Sequence, residues 1–257
     1  MDAELVIVAD AEALAREAAQ RIVGLAHEAV AARGLFSAAL SGGSTPGALY
    51  RLLAKEPTRS QIPWAQVHLF WADERCVPPD DAGSNYWSAY QALIAHVPIP
   101  PENVHRVRGE LAPEAAARAY EREMRRFFRG RRPDFDLVLL GLGSDGHTAS
   151  LFPNSGSLAE TERLAVATTA DYSNRPAKRV TLTLPALNAA RQILFLVSGL
   201  EKAEIVRAVF EDVEGRLPAR RVRPAAGQLT WLVDAAAAAR VPNGLPLWPL
   251  TVIKKRL

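Results

Sequence analysis

Two stretches of this 257-residue chain combine residue types and spacings that chemistry requires. In the stretch from Phe135 to Pro153, the apolar run of Phe135, Leu137, Val138, Leu139 and Leu140 ends abruptly in Gly141, Gly143, Asp145, Gly146 and His147. Such a run suits a strand buried on both faces of a parallel sheet, and ligands of open α/β sheets lie beyond the carboxyl ends of the strands. His147 is the one histidine of the five set in such a loop. Imidazole takes up and returns protons near neutral pH, which makes His147 the candidate general base. Two roles are open to Asp145: orienting the imidazole or capping the loop. The Gly141-x-Gly143-x-x-Gly146 spacing also fits a dinucleotide fingerprint, but the third glycine opens no helix before Pro153, so that reading fails on context.

The second stretch is Ser41-Gly42-Gly43-Ser44-Thr45-Pro46-Gly47, which follows the apolar segment Phe36 to Leu40. Pro46 favours the first turn of a helix that continues through Leu53, with Ser44 or Thr45 as its cap. Two readings stay open: an anion site, because orphan N–H donors at a helix N-terminus and the helix dipole both favour phosphate, or no more than a tight strand-to-helix turn. No Gly-Lys-Ser/Thr follows, so the loop is not a Walker motif. Charges also end the segment Val67 to Trp71, as Asp73-Glu74-Arg75. Of the two carboxylates, one facing a site with the other in a salt bridge, or a purely structural pair, are both compatible with the spacing. Cys76 before Val77-Pro78-Pro79 has no base beside it in sequence and is expected to be inert. Lys202 falls in the first turn of the helix Gly199 to Phe210, where a cation opposes the dipole and implies a nearby anion.

The elements that must position these groups alternate along the chain. Helical periodicity covers Asp10 to Arg33, with Asp10 as N-cap and Gly34 as terminator, then a short helix from Ser84 to Ile94 and another from Pro113 to Arg129. Strands are expected at Leu5–Val8, Phe36–Leu40, Val67–Trp71, Phe135–Leu140, Leu164–Thr168, Val180–Leu184, Ile193–Ser198 and Leu229–Val233, with short helices at Pro185 and at Ala235–Ala239. No repeat or low-complexity linker interrupts the pattern, which argues for one α/β domain over residues 1–257 with a largely parallel sheet.

Composition narrows the function classes. Hydrophobic residues make up 49% and charged residues 23%, as in ordinary globular proteins, and no apolar run is long enough to span a membrane. The start, MDAELVIVAD, lacks a basic region and a cleavage pattern and reads as a strand, not as a signal peptide. A single cysteine excludes an internal disulfide framework and suits a reducing cytoplasm. The net charge of +3 is mild. The arginine clusters at 122–132 and 220–223 lack the interleaved aromatics of a nucleic-acid surface and read as solvated faces.

Taken together, SGGSTP at 41–46, ADER at 72–75, SNY at 84–86, GLGSDGHTASLFP at 141–153, RVTLT at 179–183 and SGLEKA at 198–203 closely resemble the 6-phosphogluconolactonase family, in order and over nearly the whole chain. The resemblance implies a modified Rossmann-like open sheet with helices on both faces, shared with glucosamine-6-phosphate deaminase. It also implies hydrolysis of 6-phospho-D-glucono-1,5-lactone in the pentose phosphate pathway, without a metal or organic cofactor. It carries the catalytic role to His147 and phosphate binding to Gly42, Gly43, Ser44, Arg179 and Lys202, with Thr45, Asp73 and Arg75 as further substrate contacts and Asp145 beside the base. Amides near Gly143 and Gly146 are candidate oxyanion donors. The expected partner is a small sugar-phosphate substrate, with no nucleic acid and no membrane, for a monomer or weak homo-oligomer. The deaminase is the nearest rival, but deaminases carry a Glu just before the proline after Asp-Gly-His, where this chain has Phe152. A non-catalytic sugar-phosphate-binding regulator would need no histidine at 147, and a serine hydrolase would need a Gly-x-Ser-x-Gly elbow, which is absent.

Overall fold

The computed structural model describes residues 3–171, 176–241 and 250–254. In chain order the elements are β1 (Ala3–Val8), α1 (Ala11–Arg33), β2 (Phe36–Leu40), α2 (Ser44–Leu53), β3 (Val67–Trp71), β4 (Asp73–Arg75), α3 (Asn85–Ala92) and α4 (Pro113–Phe127). They continue as β5 (Leu137–Leu140), β6 (Ala165–Thr169), β7 (Lys178–Leu182), α5 (Leu184–Leu187), β8 (Gln192–Val197), α6 (Ala203–Glu211), β9 (Gln228–Asp234) and β10 (Leu250–Lys254). None of these helices is long and apolar enough to cross a membrane.

Seven strands form one sheet in the order β10-β1-β9-β8-β5-β2-β3, with every neighbouring pair parallel. Burial of the central strands on both faces explains their unbroken apolar runs: all of β2 and β5 is buried. From β2 the chain moves outward to β3, whereas from β5 it moves the other way to β8, so the connection direction reverses between β2 and β5. Parallel sheets open a crevice at such a reversal, beyond the carboxyl ends of the strands. Asp136, just before β5, fixes the two strands there: its buried carboxylate accepts the Ser37 amide at 2.8 Å and the Ser37 hydroxyl at 3.0 Å. Helix α1 begins and ends on its sequence signals, with Asp10 accepting the Ala13 N–H at 2.8 Å and Gly34 in the left-handed region at φ 78°.

The structure corrects the expected sheet in four places. Asp73–Arg75, read as a strand end, is itself a strand, and the segments expected at Leu164–Thr168 and Val180–Leu184 leave the main sheet to join it. They make an antiparallel sheet, β4-β7-β6, with Asp73 opposite Thr181 and Arg75 opposite Arg179. Ala72 is the junction: its N–H donates to Leu40 O at the end of β2, and its carbonyl accepts the Leu182 N–H of β7, both at 2.8 Å. The alanines from 235 to 239 form turns and no helix. Asp234 holds them, accepting the Ala237 amide on its carboxylate at 2.7 Å. Finally, β10 pairs with β1 where no strand was expected.

An aromatic cluster between β3 and α4 carries a pH-dependent element. His68 Nδ1 lies 3.1 Å from His105 Nε2, His105 Nδ1 lies 3.0 Å from Glu123, and both rings pack against Phe127. Burial pushes both imidazoles below their ordinary value; for His105 the Glu123 contact only partly opposes it. The unfolded chain therefore takes up protons that the folded chain resists once pH falls through about 6.5. Melting temperature is expected to fall from pH 7 to pH 5, and His68→Phe, which keeps a ring in the cluster, to flatten that slope. An unchanged slope in the variant would assign the acid sensitivity to other groups.

Candidate active site

The crevice is a cleft of about 520 Å³ lined by residues that follow β2, β5 and β8 and by side chains of β4 and β7. After β2, the chain is locked by Tyr50 of α2, whose hydroxyl donates to Ser41 O at 2.7 Å and accepts the Ser41 N–H at 3.1 Å. The Ser41 hydroxyl donates to Leu139 O of β5 at 2.6 Å. Gly42 then passes so close to Asn85 that a Cβ would meet Asn85 Oδ1 at 1.9 Å. Asn85 has little room to yield, because it is buried and its amide donates to the Asp73 carbonyl at 2.9 Å and carboxylate at 3.3 Å.

Gly43, at φ 112°, is the N-cap of α2 and no side chain caps the helix. Ser44 and Thr45, expected as caps, are instead its first residues. Their amides belong to the first turn, where N–H groups lack intrahelical acceptors, and both residues line the cleft. This is a helix N-terminus open to an anion.

The paired carboxylates separate by orientation on β4. Asp73 lines the cleft, and its carboxylate accepts the Ser150 hydroxyl at 2.6 Å and lies 3.9 Å from Arg179 Nη1. Glu74 points away and accepts the amides of Arg75, Asn85 and Tyr86, each at 2.7 Å. It anchors the start of α3 through backbone donors, in place of the salt bridge considered from sequence. Burial pushes the Glu74 carboxyl up, against the pull of those amides. Arg75 reaches the cleft with Nη1 on Gly83 O at 2.5 Å. Burial pushes the Cys76 thiol up to about 11, and the nearby Glu74 charge adds to it, consistent with an inert cysteine.

Lys202 sits in the turn Leu200–Lys202, one residue before α6, not in the helix's first turn. Its ammonium crosses the cleft to donate to Leu142 O at 2.8 Å. An ammonium has three protons, so this bond positions the cation and leaves donors for a ligand.

The loop after β5 is closed on itself. Gly143 N–H donates to His147 O at 2.8 Å, and Gly146 N–H to Gly143 O at 3.0 Å. Both amides expected as oxyanion donors are thereby used within the loop; Ser144, between them, lines the cleft. Gly146 is at φ 83° with Leu217 packed against it. Asp145 lies outside the cleft lining and makes the contact that each role left open for it would need: one carboxylate oxygen accepts the His147 amide at 3.1 Å and meets His147 Nδ1 at 2.5 Å. Burial would raise the Asp145 carboxyl, but the hydrogen bond and charge of His147 outweigh it and hold it low. A neutral imidazole donating from Nδ1 carries its lone pair on Nε2. Phe152 stacks obliquely on this ring, 4.9 Å between centroids.

Gly143 leaves no room for a side chain beside the His147 ring. A Cβ there would lie 2.0 Å from His147 Nδ1, so Gly143→Ala is expected to push the ring off Asp145 and lower turnover by at least tenfold, the effect of misplacing a proton-transfer group. Affinity for a phosphate ligand should hold, because the candidate phosphate contacts on α2, β4 and β7 lie outside this loop. Near-native turnover would show that the ring position is not critical.

The cleft thus brings together nine of the ten residues singled out from sequence, with Asp145 behind the ninth, His147. Sequence reasoning gave no role to Tyr50, Asn85 or Ser150; only the Ser84-Asn85-Tyr86 and TASLFP segments marked two of them.

The model of the family described as glucosamine-6-phosphate isomerases/6-phosphogluconolactonase matches residues 9–231. A 6-phosphogluconolactonase of Synechocystis is 43% identical over 216 residues, 82% of this chain and 86% of that one. That of Mycobacterium tuberculosis is 40% identical over 257 residues, 95% of this chain and all of its own length. Among solved structures, 6-phosphogluconolactonase from Trypanosoma cruzi superposes with a TM-score of 0.82 at 31% identity, covering 95% of this chain and 99% of that one. A monomeric glucosamine-6-phosphate deaminase shares the fold, with a TM-score of 0.77 at 23% identity over 93% of this chain and all of its own.

Proposed function

Since the chain belongs to the glucosamine-6-phosphate isomerase/6-phosphogluconolactonase family, we propose that it is a lactone-hydrolysing enzyme that opens 6-phospho-D-glucono-1,5-lactone to 6-phosphogluconate. The observation that carries this reading is that His147, paired with Asp145, lines the same cleft as Gly42–Thr45, Arg75, Arg179 and Lys202, a set of first-turn amides and cations suited to an anion.

The phosphate is held by the first-turn amides of α2 and by the cations, which fixes one end of the sugar and brings C1 to the base. Asp73 serves a different end of the substrate: a carboxylate repels phosphate but accepts a sugar hydroxyl. His147 Nε2 takes a proton from water as its oxygen bonds to C1. The C1 oxyanion then collapses, the bond from C1 to the ring oxygen breaks, and the imidazolium returns its proton to that oxygen. The carboxylic acid so formed ionises to solvent. In this reading the oxyanion donor is the amide of Ser144, the cleft-lining residue beside the two amides used within the loop.

Amino-sugar deamination is the alternative the fold would allow. Phe152, buried against the His147 ring, stands where the resemblance to deaminases requires a Glu, so that chemistry lacks its acid. The discriminating experiment couples glucose-6-phosphate dehydrogenase to 6-phosphogluconate dehydrogenase. Adding this protein should shorten the lag before the second reduction; an unchanged lag with folded protein sinks the assignment.

A further inference from the structure

Ser150 joins the loop that carries His147 to the sheet that carries Arg179. Thr148 to Leu151 form a tight turn, closed by the Leu151 N–H on Thr148 O at 2.9 Å. Ala149 within it has φ 49°, a conformation costly for a residue with a Cβ. The turn delivers Ser150, which is fully buried, into two bonds with the second sheet. Its amide donates to Thr181 Oγ1 of β7 at 3.1 Å, and its hydroxyl donates to Asp73 Oδ2 of β4 at 2.6 Å. That same Asp73 oxygen is the one 3.9 Å from Arg179 Nη1. Neither bond is needed to close the turn.

We infer that Ser150 is a positioning residue for substrate phosphate: it latches the base loop onto β4 and β7, fixes the Asp73 carboxylate, and through it aims Arg179 into the cleft. The inference rests on the phosphate site proposed above. Without the hydroxyl, Asp73 loses its shortest donor and can turn, and Arg179, which keeps its other contacts, loses the fixed charge that sets its direction.

Calorimetric binding of inorganic phosphate tests this without requiring turnover. Ser150→Ala is expected to raise the phosphate Kd about tenfold, the order of one hydrogen bond to a charged group, and to raise KM for the lactone by the same factor. In an Arg179→Ala background the same change should have no further effect on phosphate, since the path through Arg179 is already cut. A loss that adds in full to that of Arg179→Ala marks a general loosening and overturns the inference, as does an unchanged Kd or a fall in kcat alone. If Ser150→Ala fails to fold, Ser150→Cys preserves volume with a poor donor and should show the same phosphate defect; native affinity in it overturns the inference. Wild-type protein that binds phosphate but opens no lactone would remove the proposed function and leave this test standing.

Discussion

His147→Ala is expected to lower kcat by about 10² to 10⁴, the range for loss of a general base, while affinity for 6-phosphogluconate stays within about twofold of wild type, since uniform binding is untouched. The separation follows from the cleft: the ring is tied to Asp145 on the loop after β5, whereas the anion cradle is built from α2, β4, β7 and the turn before α6. Stopped-flow or coupled turnover alongside direct titration of the product measures both quantities on one preparation. Asp145→Asn provides the companion measurement. It keeps the shape but removes the charge that holds the imidazole, so turnover should fall less than in His147→Ala and phosphate binding should not move. If His147→Ala turned over at near-native rate, the base would have to be sought at Asp73, whose carboxylate lines the cleft.

Arg179→Ala and Lys202→Ala are expected each to weaken 6-phosphogluconate binding by about 1.5 to 3 kcal/mol, the range for hydrogen bonds to charged groups. Sharing one dianion, they should be non-additive in the double variant. The two differ in what else they disturb. Arg179 is buried, and its removal takes a cation from beside the buried Asp73 carboxylate, so a lower melting temperature should accompany the loss of affinity. Lys202 is half-buried at the cleft edge, and its removal costs only the bond to Leu142 O. A stabilising effect, expected from sequence because a first-turn cation opposes a helix dipole, is replaced by a small loss, because the residue precedes α6 and has an acceptor. Binding unchanged in both variants, with a large drop in melting temperature, would assign these cations to the fold and leave the phosphate to Gly42–Thr45 and Arg75.

The chain's own residue order determined the parts of this protein whose causes are local. The apolar run through Leu140, broken by glycines, reads as a buried strand ending in a loop, and it places His147 at a strand end. Helix α1 announced both its limits, because a cap side chain and a left-handed glycine act within one turn of the residues they serve. The Ser41–Gly47 segment read as an anion loop for the same reason, although which residue was the cap needed the backbone: Gly43 takes that place, and Ser44 is already helical.

Tertiary structure alone decided what depends on partners distant in sequence. A three-residue strand such as Asp73–Arg75 is too short to show alternation, and its partner β7 lies about a hundred positions away, so nothing in its neighbourhood reveals a second, antiparallel sheet. That pairing turns Asp73 toward the cleft and Glu74 toward α3, a difference that two adjacent carboxylates cannot signal by spacing. Asn85 against Gly42 and Ser150 on Asp73 have the same origin. Side chains of this kind have no periodicity to read, because what fixes each is one hydrogen bond or one close approach made after the sheet has formed.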